Sequence, residues 1–115
     1  MIKEAATLQI KELEKRFDGK GKFTSKALMG EDEFRGKGRM LAHNTIPPGA
    51  SIGFHKHETD FEVYYILRGE GLVDDNGVMK PVKVGDVIYT PPGESHSIEN
   101  TGSENLEFIA LILFA

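Results

Sequence analysis

Turn signals recur along this chain at intervals too short for helices to develop between them. Asp18-Gly19-Lys20-Gly21-Lys22 breaks whatever precedes it, and Gly36-Lys37-Gly38, Pro47-Pro48-Gly49, Asp74-Asp75-Asn76-Gly77, Pro91-Pro92-Gly93 and Asn100-Thr101-Gly102 follow. Clusters of glycine, proline, asparagine and aspartate of this kind mark chain reversals. The stretches between them concentrate β-branched and aromatic residues, which fit a pleated, half-buried surface. Met40 to Ile46, Glu62 to Leu67, Val87 to Thr90 and Leu106 to Phe114 are the clearest strands. Asn76-Gly77 is a preferred pair for a tight hairpin, so Gly71 to Asp75 and Val78 to Val84 are expected to pair antiparallel. Short strands at this spacing predict an all-β sandwich or barrel.

The N-terminal segment is less determined. Ile10, Leu13 and Phe17 fall at helical spacing with charged residues on the other face, whereas Leu8 and Ile10 alternate as in a strand. Residues 1–20 are therefore expected to be a short helix or an arm, and residues 21–115 the barrel. A chain of 115 residues closes one core and not two. With 39% hydrophobic and 28% charged residues it has the composition of a folded domain.

Bulk chemistry narrows the function. A net charge of −4 offers no basic face to collect phosphates, so no nucleic-acid partner is expected. The chain has no cysteine, which removes disulfides, thiolate ligands and cysteine nucleophiles. Any metal must be held by nitrogen and oxygen. No apolar run approaches a membrane span, and Met1-Ile2-Lys3-Glu4 lacks the basic-then-apolar layout of a signal peptide, so no membrane partner and a cytoplasmic location are expected.

Against that background four residues stand out. His55 and His57 are two apart, which on an extended strand puts both imidazoles on one face, about 6.6 Å apart at Cα. Lys56 between them then points away, as suits a cation beside a metal. Glu62 opens the apolar run Val63-Tyr64-Tyr65-Ile66-Leu67, where a carboxylate is costly to bury without a positive partner. No lysine or arginine occurs in that strand before Arg68, so a metal ion is the economical partner. His96, after Pro91-Pro92-Gly93, can supply a fourth ligand from another strand. Each residue alone also has a plain reading: a surface strand pair for the histidines, an edge position for Glu62, a turn cap for His96.

The joint spacing resembles both motifs of the cupin superfamily. The first reads Gly49, five residues, His55-Lys56-His57, four residues, Glu62, six residues, Gly69; the second reads Gly85, five residues, Pro91-Pro92-Gly93, two residues, His96, three residues, Asn100. The resemblance, to a small single-domain microbial cupin of the conserved-barrel type, covers roughly Phe23 to Ala115. It implies a double-stranded β-helix, or jelly-roll barrel, with His55, His57, Glu62 and His96 as the ligands of one divalent metal. Manganese or iron leads among candidate metals, with nickel, zinc or cobalt possible. The motif glycines sit where reversals want positive φ, and Asn100 is placed to close the next turn.

If Glu62 faces inward, alternation puts Tyr64 and Ile66 inside with it, while Val63, Tyr65 and Leu67 face out. Tyr64, Ile66, Ile98 and His43 are the candidate pocket residues; Tyr64 is also readable as plain core packing, His43 as a packed or solvent-facing strand residue, and Glu58-Thr59-Asp60 as a polar turn. Similar cupins include oxalate-binding or oxalate-degrading proteins, dioxygenases and sugar-phosphate isomerases. The expected ligand is a small carboxylate or enol-type anion, handled by a decarboxylase, a dioxygenase, a sugar-phosphate isomerase or a non-catalytic binding or sensing module. Apolar residues on both faces of Glu62 to Leu67 and of Leu106 to Phe114 predict a homodimer.

Overall fold

The computed structural model describes residues 1–115 as ten strands with three single-turn 3-10 segments. The strands are β1 (Ile10–Glu14), β2 (Lys22–Ala27), β3 (Gly38–Ile46), β4 (Ser51–Lys56), β5 (Asp60–Arg68), β6 (Glu70–Asp75), β7 (Val78–Lys83), β8 (Val87–Thr90), β9 (Ser95–Asn100) and β10 (Leu106–Phe114). Six form one sheet in the order β1-β2-β3-β10-β5-β8, and four form the other in the order β4-β9-β6-β7. The fold is the all-β jelly-roll barrel expected. The β6–β7 hairpin turns on Asn76 and Gly77, at φ +50° and +98°, the double left-handed pair of a type I′ turn.

Alternation decides what lies inside. On β5, Glu62, Tyr64 and Ile66 are buried while Tyr65 and Leu67 are exposed. On β10, Leu106, Phe108, Ala110 and Ile112 point in. Ile46, Ile66, Ile98, Leu106 and Phe108 lose all solvent contact, and a large apolar side chain buried that fully stabilises by about 1.5–3 kcal/mol. In register, Glu62 lies beside Ile112 and Thr90, whereas Ile66 lies beside Phe108. The polar site therefore sits toward one end of the barrel and the apolar core toward the other.

Two tight turns fix the ends of the strands that carry the site. Gly69, at φ +81°, lies so near the chain that a Cβ would stand 2.5 Å from the Asn105 carbonyl oxygen, leaving glycine as the residue that fits. Asn100 donates from Nδ2 to the carbonyls of Ile46 and Glu104 and accepts from the Gly102 amide, closing the turn before β10 as expected.

The short N-terminal helix does not form. Residues Ile10–Glu14 are extended as β1 and pair with β2 from Ile10↔Lys26 to Glu14↔Lys22. Ile10, Leu13 and Phe17 share helical spacing but no common face. Leu13 lies opposite Phe23 and packs on the core, Ile10 stays exposed, and Phe17 turns toward the site.

Candidate metal centre

The two sheets deliver the four site residues to one point. His55 is on β4, His57 just past its end, Glu62 on β5 and His96 on β9. The β4–β9 register pairs Ile52 with Ile98 and His55 with His96. Three residues of β4 thus span what two residues of β9 span, which is a β-bulge. By strict alternation, residues three apart would face opposite sides; the bulge lets Ile52 enter the core and His55 the site. Gly53 lies within the bulge, and a Cβ there would fall 1.8 Å from the Phe17 carbonyl oxygen. The N-terminal segment docks in that space and lays the Phe17 ring on His55, 4.1 Å between centroids and 15° from parallel.

Each imidazole is held through Nδ1. His55 donates from Nδ1 to the Gly53 carbonyl at 2.7 Å, and His57 donates from Nδ1 to Asp60 Oδ1 at 2.7 Å. His96 Nδ1 lies 2.8 Å from Thr90 Oγ1. The Nε2 atoms consequently converge. His96 Nε2 is 3.1 Å from Nε2 of both His55 and His57, and Glu62 Oε1 is 3.0 Å from Nε2 of His57 and of His96. The four donor atoms lie within 4.8 Å of one another.

This donor set fits a cation on two grounds. Inward lone pairs on neighbouring imidazoles repel unless something positive lies between them, and one proton cannot serve three nitrogens. The spacing also matches: ligand bonds of about 2.1 Å put adjacent octahedral ligand atoms about 3.0 Å apart and tetrahedral ones about 3.4 Å apart. The cluster is one that could bind a metal ion, and four ligands on an octahedron leave two positions open.

Burial pushes the His55 imidazole down to about 4, only partly offset by its bond to Gly53. His57 moves up, because its bond to Glu62 outweighs burial and Asp60 adds to it. Burial alone would raise the Glu62 carboxyl, but its bonds to His57 and His96 prevail and hold it at about 2. The site therefore keeps a carboxylate ionised in a place nearly closed to water. Asp60, read from sequence as part of a polar turn, is buried and supports His57; its second oxygen accepts from Arg39 Nε at 2.8 Å. Burial raises the Asp60 carboxyl, and Arg39 and His57 more than reverse that.

A cavity of about 80 Å³ adjoins His55, His57 and Glu62, walled by Arg16, Arg39, Met40, Asn44, Ile52 and Tyr64. Of the expected pocket residues, Tyr64 is there, its ring stacked 5.0 Å from His96. Burial, with Glu62 beside it, holds its hydroxyl protonated well past the ordinary phenol value. Ile66 and Ile98 face inward as expected but belong to the packed core and not to the cavity wall. His43 does not reach the cavity: alternation on β3 sends Ala42 and Asn44 inward and His43 outward, where Nε2 meets Glu107 at 2.9 Å. Sequence reasoning missed Arg16, Arg39 and Asn44. Arg16 and Arg39 read as surface charges, but Asn44 shares the parity of Ile46 on a recognisable strand, a signal that was available.

Comparison with known proteins agrees with this architecture. The cupin domain family's sequence profile matches residues 42–112. The chain is 52% identical to an oxalate-binding protein of Thermotoga maritima over 83% of its own length and 78% of that protein's. Its fold superposes on a Thermotoga maritima crystal structure described as a predicted oxalate decarboxylase, with TM-score 0.95 and 43% identity over the whole of both chains. A polyketide cyclase from Streptomyces resistomycificus shares the fold at 21% identity, TM-score 0.77, covering 98% of this chain and 80% of that one. Barrel, motif spacing and converging imidazoles thus have one explanation: the chain belongs to the cupin domain family.

Proposed function

We propose that this protein binds a small carboxylate of the oxalate type at one divalent metal ion, manganese or iron, held by His55, His57, Glu62 and His96, and that it binds without turning its ligand over. The observation that carries the reading is the pairing of the four-ligand cluster with a small cavity whose wall includes Arg16 and Arg39. When bound, the ion supplies positive charge and two free positions for a bidentate anion. Arg39 gives one N–H to Asp60 and keeps other donors of its guanidinium for a ligand oxygen. Arg16 lies 4.5 Å over the Phe17 ring at the same cavity. The volume is far below the roughly 300–1,000 Å³ of sites for drug-sized ligands, which favours a few-atom anion. The oxalate-binding relative supports the same class.

Binding is favoured over decarboxylation or oxygenation by the acid–base inventory. Glu62 is the one carboxylate on the cavity wall and is committed to the cluster; Tyr64 stays protonated, and His43 faces away. No free group is poised to move a proton near neutral pH. Calorimetry with oxalate tests this: binding to the manganese-loaded protein and not to the metal-free protein is expected. Equal binding to both forms would place the anion elsewhere, and steady release of formate from oxalate would make the protein a decarboxylase.

A further inference from the structure

One polar group in the cavity wall has no role in the metal site. Asn44 is buried to 4% exposure, and its Oδ1 is sealed from water with no hydrogen-bond partner. It is the one buried side-chain polar atom in the chain left so, and such atoms are the exception in native proteins. Its surroundings explain why the protein cannot satisfy it. Asn44 lies across from Phe108 on β10 and Ser25 on β2, with Ala42 and Ile46 before and after it on the inward face of β3. Ser25, which also borders the cavity, is the one polar neighbour in that register, and it does not bond the amide oxygen. An isosteric leucine would pack in this wall with nothing left unpaired.

The position of the amide says what it reads. Glu62 pairs with Ile112, which pairs with Met40, whereas Asn44 stands four residues further along β3. Sheet spacings put the Glu62 and Asn44 Cα atoms on the order of 16 Å apart. Both side chains nonetheless border one cavity. Asn44 thus faces a part of the ligand displaced from the group that chelates the metal. The two ends of an amide are interchangeable by rotation, so the oxygen that is enclosed in one orientation turns to the cavity in the other, where a ligand hydroxyl or N–H can donate to it.

We propose that Asn44, with Ser25 beside it, is a specificity-determining site for a hydroxyl or amide group carried beyond the metal-binding carboxylate, so that the ligand class is a short hydroxylated or amidated acid. This rests on the metal-dependent carboxylate reading above: it keeps carboxylate chelation at the metal and adds a distal hydroxyl or amide that oxalate lacks. Lactate and glycerate differ by one hydroxyl distal to the chelating carboxylate and 2-hydroxyl, which makes them matched probes. Calorimetry on manganese-loaded protein, with each enantiomer of both acids, should find one glycerate bound about tenfold or more tighter than its lactate counterpart, because a site built to hydrogen-bond a hydroxyl rejects the analogue lacking it. In Asn44→Leu the ratio should fall to near one, with manganese content unchanged. The wild-type ratio needs no variant to fold. A wild-type ratio near one, as expected if the amide merely holds a structural water, overturns the proposal, and so does a high ratio that survives Asn44→Leu. If neither acid nor oxalate binds the loaded protein, the carboxylate reading itself falls and takes this one with it.

Discussion

At the scale of single residues, the site depends on what stands behind the imidazoles as much as on the imidazoles. The Asp60 carboxylate fixes the His57 tautomer, and Arg39 fixes Asp60. Partners of this kind orient a ligand and raise its basicity. Asp60→Ala should therefore lower manganese affinity by about 10–100-fold while leaving all four ligands in place; competition against a chelator measures it, and an unchanged affinity would remove Asp60 from the account. Protonation gives a second test at this scale. The folded His55 value of about 4 lies below the ordinary 6.5, so between those pH values the unfolded chain binds more protons and stability rises with pH. His57 is raised, so above pH 6.5 the folded chain binds more protons and stability declines as pH climbs through the raised value. The metal-free protein should be most stable near pH 6.5, with His57→Gln flattening the alkaline decline. Melting curves from about pH 4 to about pH 9 check this, and a midpoint that keeps climbing well above neutrality contradicts it.

At the scale of elements, the contact between the N-terminal segment and β4 is the least regular part of the fold. Lys15, Phe17 and Asp18 all take left-handed backbone, at φ +50°, +52° and +60°, a conformation costly for residues with side chains. Docking onto the bulge at Gly53 is what holds them there. A methyl group at Gly53 would collide with the Phe17 carbonyl, so Gly53→Ala should destabilise by about 1–3 kcal/mol, in the range of an overpacked core. It should also weaken metal binding, because the Gly53 carbonyl orients His55. Denaturant titration together with metal competition measures both; a variant as stable as wild type would mean that the segment is not seated on the bulge. The same region shows where reading the sequence stops. Strands β8 and β10 and the β6–β7 hairpin follow from alternation and turn chemistry, and the four-residue cluster follows from motif spacing. The fate of Phe17 does not, because its contact with His55 spans residues far apart in sequence and depends on a bulge that breaks alternation. The roles of Arg39 and Asp60 were hidden for a related reason: both lie at strand ends, where exposed charge is the ordinary expectation.

At the scale of the whole molecule, the two edges of the larger sheet are unlike. At one edge β1 exposes Lys11, Glu12 and Glu14, charges that discourage another strand from pairing there. At the other edge, the four-residue β8 and its neighbour β5 present Tyr65, Leu67, Val87 and Tyr89 on the outer face, 41–61% exposed. Tyr65 pairs with Val87 and Val63 with Tyr89, so these side chains form one continuous apolar surface. A contiguous surface of this kind marks an association site. Burying it against its own copy around a two-fold axis would close the assembly at two chains. The protein should therefore run as a homodimer in light scattering at micromolar concentration. Tyr65→Lys combined with Val87→Lys should give a monomer that still takes up metal, since both side chains point away from Glu62 and Tyr64. A wild-type protein that stays monomeric at that concentration refutes the dimer, and a double variant that stays dimeric moves the interface to another face.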